Sequence, residues 1–463
     1  MDLSTNPVTL TTRHPLVTYR KADMGLLDGA DRQIVRVAVP AFFALITEPL
    51  MLLADTAIIG HLGTPELGGL AAASVVLGTV IGLCVFLAYG STASVARHHG
   101  AGDERAAYGL AISSLWLAAG LGVLLGGLVV ATSGTTSRAL SSSSPVAGLA
   151  RDYLVVSALS VPAMLLVLAA TGALRGVLDL RTPLVAAVVA NVVNVILNVL
   201  FVYGFDGGVR GAATGTVLAQ WLAAGWLVTV VVRRARSSHA PARPRPRDIL
   251  ASAREGVPLI VRTLTLRVAL ILAALVAAGL GDVQLAAHQV AATVVAFLAF
   301  ALDAIAIAGQ TLTGRSLGAG DATGTRSLTR RMIAWGAGTG VTAAITLAVT
   351  APWLPHLFTS DPAVHDALVP ALLVVAAIQP VSGVVFVLDG VLIGAGDGVY
   401  LALAGLVTLA VYAPLVWWVG RTGAGFTWLW VAYGGFMAAR LATLWARQRG
   451  DTWLVLGATR SAD

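Results

Sequence analysis

The most regular feature of the chain is a series of long apolar segments, separated by short stretches that hold most of its charged residues. A helix needs about 20 apolar residues to cross the hydrocarbon core of a bilayer. The pattern therefore predicts an all-α polytopic membrane protein. We expect twelve transmembrane helices, at roughly residues 33–57, 68–96, 106–131, 149–174, 183–204, 211–232, 252–280, 285–314, 328–351, 366–393, 399–419 and 426–446.

The second half of the chain repeats the first. A shift of 218 residues places Pro40 on Pro258, Pro162 on Pro380, and turn 100–103 on turn 318–321. Each half holds six spans, so both halves begin on the same side of the membrane, which makes this a parallel repeat of the kind found in transporters. The predicted organisation is an N-terminal tail (1–32), an N-lobe (33–232), a basic linker (233–248), a C-lobe (249–446) and a C-terminal tail (447–463).

The composition agrees with a membrane protein, since 57% of the 463 residues are hydrophobic and 11% are charged. The net charge of +7 would also suit a nucleic-acid-binding protein. However, the loops on one predicted side of the membrane hold only four of the 30 basic residues, Arg138, Arg151, Arg210 and Arg421. This asymmetry predicts that both termini lie in the cytosol. It also favours a linker attracted to anionic lipid and no nucleic-acid partner.

Two acids occupy the first predicted span. A charged side chain in the bilayer costs several kcal/mol, so such residues usually face a cavity, a partner or a transport pathway. Glu48 and Asp55 are seven residues apart, which places them on roughly one face of a helix. This face is the first candidate site. Glu48 also precedes Pro49, so it could instead satisfy backbone groups that the proline leaves free.

Three asparagines form a polar stripe on the fifth span, at Asn191, Asn194 and Asn198. One interpretation is that they make hydrogen bonds between helices, each worth about 0.6 kcal/mol. The other is that they face Asp55 and bind its carboxyl group in both protonation states. The repeat-related residues of the C-lobe are leucine, tyrosine and valine, so the polar interior belongs to the N-lobe.

The C-lobe has its own charged residues within the spans: Arg262 and Arg267 in the seventh, Asp303 in the eighth and Asp389 in the tenth. Buried charges are usually paired, so we expect arginine and aspartate to neutralise each other within the bundle. Alternatively, these side chains line a substrate cavity. The single cysteine, Cys84, provides neither a disulfide framework nor a cysteine metal site.

Several motifs resemble the MATE (multidrug and toxic compound extrusion) transporters. They include ADTAIIGHLG (54–63), LAAHQV (285–290), NVVNVILN on the fifth span, and RHHGAGD and RSLGAGD after the second span of each lobe. FALDAIAIAGQ (300–310) and LDGVLIGAGD (388–397) are more similar to the DinF-like branch. The resemblance covers nearly the whole chain. It implies the MATE fold and export of organic cations or amphiphilic small molecules in exchange for H⁺ or Na⁺, by alternating access of two lobes.

The resemblance makes Asp55 the ion-coupling aspartate. Asn198 stands where some prokaryotic relatives carry an aspartate, and Leu266 and Arg267 stand at the level where NorM-like members carry carboxylates. With fewer acids, the chain favours H⁺ over Na⁺ as the coupling ion. The predicted ion-coupling residues are Asp55, Glu48, Asn194 and Asn198, and the candidates for the substrate cavity are Asn191, Arg262, Arg267, Asp303 and Asp389.

These features predict a monomeric, multi-pass multidrug-efflux protein of the cytoplasmic membrane, the inner membrane of the cell. It is expected to be no enzyme and to need no cofactor. A Na⁺-coupled exporter is one alternative. Another is a flippase for lipid-linked or polysaccharide precursors, which would need cationic side chains in its cavity, with Arg262 and Arg267 as candidates. A channel or a scaffold without transport would show no coupling to an ion.

Overall fold

The computed structural model describes residues 29–141, 143–241, 243 and 246–459, and the regular structure in these ranges is helical. This confirms the predicted all-α fold. The α-helices are α1 (Gly29–Gly60), α2 (Thr64–Leu83), α3 (Phe86–Gly100), α4 (Glu104–Leu140), α5 (Ser144–Ser157), α6 (Val161–Gly176), α7 (Arg181–Val199), α8 (Gly208–Ser237), α9 (Pro246–Leu280), α10 (Asp282–Gly318), α11 (Ala322–Thr350), α12 (Pro362–Gly394), α13 (Gly398–Thr422) and α14 (Phe426–Arg449).

These helices account for the twelve predicted spans. Two spans are each built from two helices: α2 and α3 meet at residues 84–85, and α5 and α6 are joined by a 3₁₀ turn, Ala158–Ser160. Within the described residues, eleven segments are long and apolar enough to cross a membrane. The twelfth, α14, has 24 residues but is less apolar because it contains tryptophan, tyrosine and arginine.

The helices extend beyond the predicted apolar segments. α8 continues through Arg233 and Arg236 to Ser237, and α9 begins at Pro246, so the segment between them is shorter than the predicted linker 233–248. Arginine is a good helix former, which is why the basic residues continue the helix instead of ending it. The predicted N-terminal tail lies outside the described residues up to position 28. The lobe boundaries stay predictions.

The two lobes meet at one end of the bundle, which we call the linker end because α8 and α9 are connected there. Gly100 packs on the backbone of Arg315, and Gly318 packs on the backbone of Arg97. A Cβ atom at either glycine would collide with that backbone, so these glycines allow α3 and α10 to cross closely. These four positions are related by the 218-residue repeat.

Further contacts join the lobes near this crossing. The Gln310 side-chain amide donates a hydrogen bond to the Tyr89 carbonyl at 2.7 Å. Asp31, at the start of α1, accepts hydrogen bonds from the Arg331 guanidinium and from the Trp335 indole on α11, the latter at 2.8 Å. Because these contacts lie in the linker-end half of the bundle, the structure represents a state that is closed at the linker end.

Candidate functional site

A buried acid and amide lie at the centre of the N-lobe. Asp55 on α1 is 4% exposed and Asn198 on α7 is fully buried. The Asn198 amide nitrogen donates a hydrogen bond to the Asp55 carboxylate at 2.6 Å. The structure thus brings together the acid of the first predicted span and the last asparagine of the polar stripe. Their role in ion coupling stays a prediction.

A chain of hydrogen bonds leads from this pair to α8. The Asn198 nitrogen also lies 3.4 Å from the amide oxygen of Asn194, and the Asn194 nitrogen donates to the Thr216 hydroxyl at 3.0 Å. Gly215 provides the space for Asn198, because a Cβ atom there would collide with its side-chain amide. Sequence reasoning missed Thr216 and Gly215, whose only signal is a small polar residue beside a glycine within an apolar span.

One polar atom of the Asn198 side chain has no hydrogen-bond partner among the described residues. Its side-chain oxygen is buried and accepts no hydrogen bond from the described residues. An acceptor without a donor is unfavourable in an apolar interior. If Asp55 gained a proton, its carboxyl group would become a donor, and a rotated Asn198 amide would present this oxygen to it. The Asn198 amide can therefore form a hydrogen bond with Asp55 in both protonation states of the carboxyl group.

Glu48 lies apart from this pair, about 10 Å along the axis of α1. Ile34, Ala41, Glu48 and Asp55 form a row with a spacing of seven residues on one face of α1. Three members of the row are buried, and only Glu48 is exposed. Because the other three members of the row face the protein interior, Glu48 lies on the inward face of α1.

Asn191 has a different role from Asn198. Its amide nitrogen donates a hydrogen bond to the backbone carbonyl of Thr47 at 2.5 Å, which connects α7 to α1. This agrees with the interpretation of hydrogen bonds between helices. Asn198 is the asparagine of this stripe that is hydrogen-bonded to Asp55 in the structure, and Asn194 accepts a hydrogen bond from Asn198.

The C-lobe contains a buried ion pair. Arg262 on α9 donates two hydrogen bonds to Asp389 on α12, from Nε at 3.0 Å and from Nη2. Arg440 on α14 places a guanidinium nitrogen 3.6 Å from the same carboxylate. Each of these side chains is only 10–12% exposed. The structure therefore pairs an arginine with an aspartate within the C-lobe, as expected, and the partners are Arg262 and Asp389. Arg440 was not among the residues predicted from the sequence.

The other two charged candidates have different surroundings. Asp303 on α10 lies within the electrostatic range of Arg262, Arg440 and the N-lobe residue Arg175, so it belongs to the same charge cluster. Arg267 is exposed, and its guanidinium lies beside Gly82 of α2. The structure therefore divides the two arginines of α9: Arg262 is part of the ion pair, and Arg267 lies on the face that is turned towards the N-lobe.

Comparison with known proteins identifies the family. The sequence profile described as MatE matches residues 40–200 and again residues 258–418. The two matches are offset by 218 residues, which is the offset of the internal repeat. The chain belongs to the MATE family. This confirms the resemblance seen in the motifs and the parallel repeat of two lobes, and it makes the chain a multi-pass membrane transporter.

Two relatives show where this MATE transporter lies within the family. Protein DETOXIFICATION 45, chloroplastic, of Arabidopsis thaliana is 28% identical over 455 residues, which cover 92% of this chain and 80% of the relative. DNA damage-inducible protein F of Escherichia coli is 33% identical over 199 residues, 43% of each chain. The second similarity supports the DinF-like relationship.

Solved structures confirm the MATE fold. A multidrug resistance MATE family transporter of the MOP superfamily, in an outward-facing conformation, has a TM-score of 0.81 at 22% identity and covers 93% of this chain and 98% of its own. A MOP superfamily transporter from Pyrococcus furiosus, described as having a binding pocket of reverse polarity, has a TM-score of 0.82 at 22% identity and covers 91% and 96%.

Proposed function

We propose that this MATE transporter is a proton-coupled antiporter that exports organic cations or amphiphilic small molecules, with Asp55 as the coupling acid. The observation that carries the proposal is the buried hydrogen bond from Asn198 to Asp55, next to an amide oxygen with no donor among the described residues. Protonation of Asp55 removes the charge and reverses the hydrogen bond. One titrating group thus changes both the electrostatics and the hydrogen bonds of the N-lobe interior.

Exchange follows if the proton and the substrate compete for one state of the transporter. A ligand shifts a conformational equilibrium only by its difference in affinity for the two states. Ionised Asp55 favours a cation in the N-lobe, and the exposed Glu48, two helical turns away on the same face of α1, adds a second carboxyl group. The protonated N-lobe no longer favours the cation. A membrane potential contributes about 2.3 kcal/mol per charge for each 100 mV, in addition to the pH gradient.

The geometry of the pair supports H⁺ over Na⁺. A sodium ion needs several oxygen ligands, whereas Asn198 turns its nitrogen towards the Asp55 carboxylate. Asn194 uses its nitrogen on Thr216 and its oxygen on Asn198. A proton needs only one carboxyl group. Sodium coupling would therefore require the amides to reorient before the ion bound.

The charges of the C-lobe support a cationic substrate over the diphosphate of a lipid-linked precursor. A flippase would need cationic side chains that are free to bind phosphate. Arg262 is instead held by Asp389 in a two-point ion pair, which leaves Arg267 as the exposed candidate on α9. One exposed guanidinium gives weaker support to an anionic substrate than the buried Asp55 gives to a cationic one.

We further propose that the protein works as a monomer in the cytoplasmic membrane, with the linker end in the cytosol. The arginines that extend α8 and α14 at that end support this orientation, because basic residues concentrate on the cytosolic side.

The test uses the purified protein in proteoliposomes with a fluorescent organic cation. A pH gradient alone, without sodium, should drive transport of the dye against its concentration gradient. Asp55→Asn keeps the shape and loses the titration, so it should fold but lose proton-coupled transport. Asp152→Asn, at a partly exposed aspartate of the same lobe, is the matched control and should transport like wild type. Transport that requires a sodium gradient, or an active Asp55→Asn variant, would overturn the proposal.

A further inference from the structure

A buried arginine crosses the boundary between the lobes at the linker end. Arg97, near the end of α3, is only 4% exposed. Its guanidinium donates hydrogen bonds to the carbonyls of Ala395 at 3.0 Å, Val455 at 2.9 Å and Gly457 at 3.0 Å. Ala395 follows α12, and the other two residues belong to segment 450–459, which we call the C-terminal strap. An N-lobe side chain thus binds the backbone of the C-lobe and of the strap.

The strap itself is fixed to the C-lobe. The Trp453 side chain is fully buried. The amide of Gly457 donates a hydrogen bond to the carbonyl of Leu317, at the end of α10, at 3.0 Å. Asp451 pairs with Arg326 on α11. Gly457 has φ +102°, a conformation that favours glycine. These contacts make the strap part of the C-lobe, so a movement of one lobe away from the other would act on Arg97.

The repeat shows that this contact is a special feature of one lobe. Arg315 is the counterpart of Arg97, 218 residues later, and the backbones of both lie at the crossing of α3 and α10. Yet Arg315 is exposed, whereas Arg97 is buried under the strap. The crossing of the two helices therefore does not by itself require a buried arginine.

We propose that Arg97 and the C-terminal strap form a lock that holds the linker end closed, and that the lock opens each time the linker end opens during transport. The lock rests on the proposed transport function, in which the two lobes open alternately to the two sides of the membrane. Opening the linker end separates α3 from α10 and α12, so the bonds to Ala395, Val455 and Gly457 must break together. Hydrogen bonds from a charged guanidinium are stronger than neutral ones, so their joint loss shifts the balance towards the open state.

The test measures how often the linker end opens. Thr311 on α10 is fully buried and lies seven residues before Gly318, on the same helix face, which contacts α3. A Thr311→Cys reporter is introduced into a Cys84→Ala background, and the protein is placed in lipid nanodiscs, where both sides of the membrane are accessible. The rate of labelling by a water-soluble maleimide then reports exposure of the linker-end interface.

Arg97→Ala should raise the labelling rate about tenfold, which corresponds to about 1.4 kcal/mol. Deletion of the strap after Arg449 should have the same effect, and the two changes together should add little, because both open one lock. Trp453→Ala loosens the strap without touching α3 and should also accelerate labelling. Arg315→Ala is the matched control and should stay within twofold of the unmodified background.

Labelling of Arg97→Ala at the control rate would overturn the proposal. So would equal acceleration by Arg315→Ala, which would mean that any change at the crossing loosens it, or acceleration by the deletion but not by Arg97→Ala. Labelling requires neither a substrate nor a coupling ion. If wild-type proteoliposomes show no proton-driven transport, the proposed function therefore fails while the labelling result still decides the lock.

Discussion

The ion pair of the C-lobe predicts that its two partners are not equally important for stability. Asp389 faces two guanidinium groups, Arg262 at 3.0 Å and Arg440 at 3.6 Å. Asp389→Asn leaves both cations without this counter-charge in a largely buried site. Arg262→Gln leaves Asp389 beside Arg440. The loss of the acid should therefore destabilise the protein more than the loss of Arg262.

The expected magnitude follows from the burial of the three side chains. Removing one partner of a buried pair costs about 3–5 kcal/mol, because it leaves the other charge uncompensated. Asp389→Asn should reach this range, since it also leaves the repulsion between Arg262 and Arg440. Arg262→Gln should fall at or below the lower end. The double variant should recover part of the loss, because Arg440 then remains alone near Asp303.

The measurement is the yield of monodisperse protein in detergent together with the midpoint temperature of unfolding. Asp152→Asn serves as the control, because Asp152 and Arg210 form an exposed ion pair at 2.9 Å, and such pairs contribute little. Equal losses in the two single variants would refute the reasoning about Arg440. Normal stability combined with altered substrate preference would instead assign these residues to the substrate cavity.

Three further predictions concern other sites. Gly215→Ala should displace the amide of Asn198 and abolish proton-coupled efflux, whereas Gly225→Ala, on the same helix with open space around its Cβ position, should not. Glu48→Gln should match the wild-type unfolding midpoint, because the side chain is exposed, but weaken the apparent affinity for a cationic dye in efflux assays; unchanged efflux would mean that Glu48 only satisfies backbone groups. For Asp179, burial opposes a low pKa, but hydrogen bonds from α7 and a neighbouring arginine outweigh it and hold the pKa of this carboxyl below its usual value. Its stabilising effect is complete above about pH 4 and disappears as the pH falls through the lowered value, so the difference in unfolding midpoint between wild type and Asp179→Asn should shrink in acid.

The fold could be predicted almost completely from the sequence, because a bilayer permits few backbone structures and the repeat defined the two halves. The exceptions have local causes. The helix of the second span is interrupted at Cys84 and Val85, which are apolar and include neither glycine nor proline. The C-terminal strap was predicted only as a tail. Its contacts with Arg97 use backbone carbonyls, which every residue has, so its side chains do not mark them.

The candidate site could be predicted where a polar side chain is costly in the membrane. Asp55 and Asn198 stood out for this reason, and the structure joins them. Thr216 did not stand out, because a threonine in a helix can bond its own backbone, and Thr216 also does so at 3.1 Å to Ala212. Arg440 was missed because it lies near a chain end rich in arginine, although its guanidinium faces Asp389.

The differences between the two lobes limit where coupling can occur. The repeat places Ala273 and Val416 of the C-lobe at the positions of Asp55 and Asn198, and both are buried. The side chains of Ala273 and Val416 have no group that binds a proton. The charges of the C-lobe, in turn, are held together by an ion pair that stabilises one arrangement of α9 and α12. In the proposed mechanism the coupling proton therefore acts on Asp55 and Asn198 of the N-lobe, and the related positions of the C-lobe have no equivalent.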